Sequence, residues 1–281
     1  MDGVLLINKS AGMTSFDVVR EVRKLFNEKR VGHTGTLDPQ AEGLMIILMG
    51  KYTKFLPFCV HDNKTYQATF KLGILTDTQD IWGTVVDQKE PKQHSQEELD
   101  EIAKNMLGKQ LQIPPKYSAI KKDGKKLYEY ARKGEEVEVE PREIEVYELN
   151  VKEIGNNEYS MDACVSSGTY IRTLIQDYAE KMDEYGTMTS LKRIAIENIT
   201  INDAIALNDL NEGSIIIDPT KIISKEWELV DGSNYYDDII HGRIFKADKL
   251  PKQIIFGQND IILAAYELRS DGYYHCVRGL L

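Results

Sequence analysis

"VGHTGTLDPQAEGLMIILMG", residues 31–50, joins a glycine-rich turn to an unbroken apolar run, and the reading of that run decides the fold. Leu44 to Met49 are all apolar, which suits a strand buried on both faces or a buried helical segment; periodicity alone does not separate the two. Ahead of the run stands a carboxylate, Asp38, followed by Pro39 and preceded by Gly32, His33 and Gly35. Taken alone, an Asp-Pro step closes an Asx turn, with the proline ring fixing the next φ. The glycines permit close approach of a backbone or a ligand, and His33 adds a stackable ring whose proton exchanges near neutral pH.

Upstream, residues 3–8 read as a strand. Thr14-x-x-Asp17 makes a capping-box start for a helix carrying Val18, Val22, Leu25 and Phe26 at helical spacing. Downstream, "KTYQATFKLG" (64–73) alternates, with Tyr66, Ala68, Phe70 and Leu72 on one face, the pattern of a half-buried strand. Ser95-x-x-Glu98 caps a second amphipathic helix carrying Leu99, Ile102, Ala103, Met106 and Leu107, which Gly108 should end. Strand-like stretches near 144–151 and 159–165 lead into "GTYIRTLIQDYAEKM", whose Leu174, Ile175, Tyr178, Ala179 and Met182 form an apolar stripe with Arg172 near its first turn. Strands and helices do not alternate as βα units, so a mixed, mostly antiparallel α+β sheet is expected.

The chain has 281 residues, 42% hydrophobic and 28% charged, enough for one large domain with a small appendage or for two ordinary ones. After about residue 220 the texture changes to short β-rich runs with turns at Asp231-Gly232, His241-Gly242 and Asp271-Gly272. The expected division is therefore a main domain over 1–220 and a small β module over 221–281. Three cysteines with no CxxC pair predict buried thiols in a reducing compartment and no metal site. The apolar run Val4 to Ile7 is far too short for a signal peptide or membrane span, so a cytoplasmic protein is expected. A net charge of −10 opposes gross attraction to nucleic acid, but Lys116 to Lys133 hold seven bases against two acids. This distribution leaves room for a basic face on an acidic body.

Each candidate residue has an ordinary reading of its own: Tyr66 as a core aromatic, Arg172 as an ion-pair partner, the lysine-rich stretch as a solvated face. A guanidinium opposite a carboxylate keeps it ionised and oriented, and a tyrosine ring lining a cleft stacks on a base and offers a phenol.

Five ordered motifs carry a more specific signal: "LLINKSAGMTSFDVV" (5–19), "GHTGTLDPQAEGL" (32–44), "KTYQATFKLGILTDTQDIWG" (64–83), "PPKYSAIKKDGKKLYEYARKG" (114–134) and "SGTYIRTLIQDYAEKM" (167–182). Together they resemble the TruB family of bacterial tRNA pseudouridine synthases. The resemblance implies the pseudouridine synthase fold with a C-terminal PUA-like RNA-binding module. It also implies isomerisation of uridine 55 in the TΨC loop of tRNA, with no cofactor, no metal and no guide RNA, by a monomer. Carried over by position, Asp38 is the catalytic aspartate, Tyr66 the active-site tyrosine and Arg172 the arginine that pairs with the aspartate. His33 packs against the disrupted T loop, and Lys9, Gly35, Thr36, Leu37 and Tyr170 belong to the substrate site. Lys121 and Lys122, with Lys125 and Lys126, meet tRNA phosphates. One departure stands out: Ser10 replaces the family's usual proline after Lys9, which removes a φ constraint beside it.

Other classes stay open at this point. Asp38 and Glu42 offer paired carboxylates for an N-glycosidase, which would release free uracil. An RNA-folding chaperone using the same cleft would not need Asp38. A guide-RNA-dependent synthase of the dyskerin type shares the motifs but works with partner proteins.

Overall fold

The apolar run of residues 44–49 is a strand, not a helix. A computed structural model describes residues 1–135, 137–214, 217–259 and 261–280. The chain divides into two compact units, Met1–Asp62 with Ala195–Leu281, and Asn63–Ile194.

The first unit begins with β1 (Gly3–Lys9), α1 (Ser15–Leu25), β2 (Val31–His33) and β3 (Glu42–Met49). β1 lies antiparallel to β3 from Gly3 opposite Met49 to Lys9 opposite Gly43, and β2 pairs with the far end of β3. Every β3 residue from Gly43 to Met49 is buried, which explains why the run lacks alternation. α1 starts at the expected capping box: the Asp17 N–H donates to Thr14 Oγ1 (3.1 Å) and the Thr14 N–H to Asp17 Oδ2 (2.8 Å). Gly50 turns the chain out of β3 with φ +60°, and a Cβ there would stand 2.0 Å from Asp2 Oδ1 and 2.6 Å from Met1 O, so no other residue closes this corner.

The second unit holds β4 (Asn63–Leu72), β5 (Ile74–Thr76), β6 (Val85–Gln88), α2 (Gln96–Asn105), β7 (Gly108–Gln112), β8 (Lys121–Lys122), β9 (Lys125–Lys126), α3 (Leu127–Ala131), β10 (Arg142–Gly155), β11 (Glu158–Ser166), α4 (Ile171–Lys181) and β12 (Gly186–Ile196). Its sheet runs β12-β4-β11-β10-β7, with β4, β11, β10 and β7 successively antiparallel. β4 alternates as its sequence does, burying Tyr66, Ala68, Phe70 and Leu72. α2 is shorter than its apolar stripe suggests. It stops at Asn105, Met106 serves as its buried C-cap, and Leu107 is 46% exposed where Gly108 (φ +90°) turns the chain into β7. β10 and β11 extend to a two-residue turn, Asn156-Asn157, both at positive φ, as a type I′ hairpin requires.

The chain then completes the first unit with β13 (Ile199–Thr200), β14 (Ile205–Ala206), β15 (Glu228–Asp231), α5 (Tyr236–Ile240), β16 (Gln253–Gln258), β17 (Ile261–Leu268) and β18 (Tyr274–Gly279). β14 lies parallel to β1, with Ile7 opposite Ile205. β15 to β18 form a separate four-stranded sheet in chain order, parallel only between β15 and β16. Its core is aromatic: Phe245, Phe256, Tyr266 and Tyr274 lie with ring centroids 5.3–6.1 Å apart. The Asp231-Gly232 step opens a short helical segment ending in α5 instead of another strand, because the Asp231 carboxylate caps the Ser233 N–H (2.9 Å). The protein is thus α+β with a mixed, mostly antiparallel sheet and a C-terminal β module, as the sequence predicts.

Candidate active site

Asp38 stands half-buried on a turn between β2 and β3, closed by the Ala41 N–H donating to Asp38 O at 3.0 Å. Two buried side chains fix its neighbours. The Ser15 hydroxyl, at the start of α1, accepts from the Leu37 N–H (2.9 Å) and donates to the Leu37 carbonyl (3.1 Å), so one side chain satisfies both main-chain groups of the residue before the aspartate. Lys9, fully buried at the end of β1, donates from Nζ to the carbonyls of Ser10 (3.0 Å), Met13 (2.8 Å) and Pro39 (3.1 Å). The Gly12 N–H adds a bond to Pro39 O at 2.9 Å. The loop beside Ser10 is therefore held by the ammonium and this amide, without a proline ring.

Around Asp38, Leu37 is buried, Thr36 exposed, and His33 and Gly35 half-buried. Gly32 lies within β2 opposite Leu48, with ordinary φ, and a Cβ there would meet no atom within 4 Å. The protein's own packing does not demand that glycine. Glu42 is the exposed first residue of β3.

In the second unit Tyr66 is buried on β4, opposite Ala163 of β11. Arg172 is the second residue of α4 and 4% exposed. Its Nη1 donates to Thr78 O (2.8 Å) and lies 3.9 Å from Asp80 Oδ2, while Nη2 donates to Tyr117 O (3.1 Å). One planar fork therefore ties the β5–β6 loop and the segment before β8 to the start of α4. Tyr170, the N-cap of α4, exchanges two main-chain bonds with the buried Gln112 side chain: Tyr170 N–H to Oε1 at 2.8 Å, and Nε2 to Tyr170 O at 3.1 Å. A side-chain amide here imitates a ladder partner and sets where the helix begins.

Lys121 and Lys122 pair with Lys126 and Lys125 across a turn at Asp123-Gly124, both at positive φ. Lys121 and Lys125 are exposed. Lys125 Nζ lies 5.6 Å over the Tyr130 ring, and Lys126 Nζ and the Arg132 guanidinium lie 5.5 and 5.3 Å from the Tyr128 ring. The lysine-rich stretch is an ordered hairpin with cations packed on tyrosines, a surface chemically suited to phosphates and bases.

Lys9, His33, Gly35, Thr36, Leu37 and Asp38 thus gather in the first unit, and Tyr66, Tyr170, Arg172 and the lysine hairpin in the second. Sequence reading missed Ser15, Gln112, Thr78 and Asp80, whose parts depend on contacts distant in sequence. The Asp-Gly turn of the hairpin carried a usable local signal. Among the described residues no three or more His, Cys, Asp or Glu side chains come together as a metal site, and no helix is long and apolar enough to cross a membrane.

The TruB family pseudouridylate synthase (N terminal domain) model matches residues 23–171. A tRNA pseudouridine synthase B of Clostridium perfringens is 44% identical over 213 residues, covering 75% of this chain and 72% of that protein. Another, of Mesoplasma florum, is 35% identical over 283 residues, covering 99% and 97%. Among solved structures, a Cbf5-Nop10-Gar1 complex covers 99% of this chain and 85% of its own with a TM-score of 0.71 at 19% identity, a likeness of fold.

Proposed function

Because the chain belongs to the TruB family of pseudouridylate synthases, we propose that it is the enzyme that isomerises uridine 55 in the TΨC loop of tRNA to pseudouridine. The observation that carries the reading is the Asp38 turn, where a half-buried carboxylate follows a residue pinned at both main-chain groups by Ser15. Such a turn holds one carboxylate in fixed geometry against a ribose.

The reaction breaks the N1–C1′ bond, turns the uracil within the site and forms C1′–C5. The C5 proton leaves to solvent, and N1 gains one. Uracil is both leaving group and returning nucleophile, so the bookkeeping needs no redox partner. Asp38 acts at the ribose as nucleophile or base. The uridine must leave its stack first, at a cost of a few kcal/mol. Tyr66 stacks on the flipped base, Arg172 supports the carboxylate, and His33 fills the vacated space. Lys9 positions the turn through its three carbonyls, Gly35, Thr36, Leu37 and Tyr170 border the substrate, and Lys121 and Lys122 meet phosphates of the T stem. Residues 1–220 carry the chemistry and 221–281 serve as a PUA-like RNA-binding module. The enzyme works in the cytoplasm as a monomer, without metal, cofactor or guide RNA.

The test is incubation of purified protein with unmodified tRNA labelled at uridine C5, without added metal or guide RNA. Release of label at position 55, abolished in Asp38→Asn, is the expected result. Free uracil in the products would instead identify an N-glycosidase. Tight tRNA binding without release would leave the chaperone or the guided synthase.

A further inference from the structure

Gln79 lies in the left-handed region with φ +66°, a conformation that long side chains seldom adopt. Among the described residues nine non-glycines have positive φ, and six of these are Asn or Asp, which tolerate it. Gln79 is neither, and a glycine would make the same bend without strain. Its side chain supplies the reason for a glutamine here, because both ends of the amide reach α4. Oε1 accepts from Thr173 Oγ1 at 2.9 Å, and Nε2 donates to Gln176 Oε1. The main chain is held as well: the Gln79 N–H donates to Thr76 O (3.3 Å), and its carbonyl accepts from the Met188 N–H of β12 (3.1 Å).

The residues on either side of this bend are the ones the guanidinium meets. Thr78 O accepts from Arg172 Nη1, and Asp80 Oδ2 lies 3.9 Å from it. The rest of the loop is built around the same point. Asp80 Oδ1 accepts from Thr78 Oγ1 (2.7 Å) and the Trp82 N–H (3.2 Å), Asp77 Oδ1 accepts from the Thr84 N–H (2.8 Å), and the Ile81 N–H donates to Met188 O (2.9 Å). Thr173 is the residue after Arg172, and Gln176 lies one helical turn further on, so loop and guanidinium are registered by a single stretch of α4.

We infer that Gln79 is a positioning residue for the isomerisation: clamped by Thr173 and Gln176, it keeps loop 76–84 in the strained bend that sets Thr78 and Asp80 against Arg172. The inference rests on the function proposed above. Strain of this kind persists where the surroundings over-determine it, and it is a recurrent companion of sites that must be pre-set.

The experiment uses the full-length protein with C5-labelled tRNA and, in parallel, amide hydrogen exchange over residues 77–84. Gln79→Gly makes the bend without strain but lacks the clamp, so its melting temperature should stay at the wild-type value while kcat falls roughly 10- to 100-fold, as for a displacement of about 1 Å at a remote support, and KM changes by less than about twofold. Thr173→Val should show the same split, Thr173→Ser should restore kcat, and the double variant Gln79→Gly/Thr173→Val should be no slower than either alone. The amides of Ile81, Gly83 and Thr84 should exchange faster in the two damaging variants and normally in Thr173→Ser. Wild-type kcat in Gln79→Gly and Thr173→Val, or failure of Thr173→Ser to rescue, overturns the inference. An inactive wild-type protein overturns the proposed function instead, and exchange then decides the clamp alone: faster in Gln79→Gly supports it, unchanged refutes it.

Discussion

Lys9 in the first unit and Arg172 in the second are both buried cations that hold loops by their carbonyls, and they do it with different chemistry. The ammonium of Lys9 is a compact charge with three rotatable donors, which converge on two carbonyls of the β1–α1 loop and one, that of Pro39, in the Asp38 turn itself. The guanidinium of Arg172 is a flat fork that spans Thr78 and Tyr117 and still approaches the Asp80 carboxylate. The first arrangement closes a scaffold around an unstrained turn. The second shares its fork between main chain and carboxylate, next to a strained residue, which is the pattern of a group kept for chemistry.

If that distinction is right, the largest effect belongs to Arg172→Lys. Charge is retained but the fork is lost, so kcat/KM should drop by about 100-fold or more in the C5-label release assay, beyond what the roughly 1 kcal/mol of a lost bond takes from stability. Wild-type turnover would remove the distinction altogether. Next comes Lys9→Met, which keeps length and removes three donors. At roughly 1 kcal/mol per bond, urea unfolding should show a loss of about 3 kcal/mol. A loss below about 1 kcal/mol would mean that water replaces the ammonium and that Lys9 holds no scaffold.

The smallest effect concerns α4 itself. Burial, with Glu180 adding repulsion, pushes the Asp177 carboxyl up to about 6 from an ordinary value of 3.8. The folded protein therefore binds its proton more tightly than the unfolded chain, and stability falls as pH rises from about 4 to about 6, then levels off. Asp177→Asn should remove that fall and stabilise the protein by about 1 kcal/mol at pH 7 after allowance for solvent screening, with no gain at pH 4. Equal gains at both pH values would assign the effect to something other than ionisation.

Much of this was legible in the sequence where a pattern is local. The two capping boxes, the alternation of β4 and the uniform burial of β3 all follow from neighbouring residues, as does the order of the motifs around Asp38 and Arg172. The end of α2 is less legible, because the apolar stripe runs on through Met106 and Leu107 while the helix itself stops at Asn105, ahead of the turn at Gly108. The burial of Lys9, whose Nζ donates to three carbonyls, is likewise not legible in the motif that contains it. Ser15 holding Leu37, Gln112 holding Tyr170 and Gln79 holding the loop beside Arg172 join residues from different elements, and no period or spacing announces such pairs.

The second unit is one continuous stretch of chain, Asn63–Ile194, inserted into the first. Val4, Leu6, Leu44 and Ile46 share their core with Ile255, Ile262 and Leu280, and the parallel partner of β1 arrives only at Ile205. On the ribosome, then, the inserted unit has all its strands while the opening strands still lack seven of the 17 buried residues of their core, and it should close first. In pulse-labelled refolding, amides of β4 and β11 should gain protection before those of β1 and β14; the reverse order would mean that the two ends of the chain find each other unaided. The turn that carries Asp38, made among the first forty residues, therefore acquires its finished core among the last.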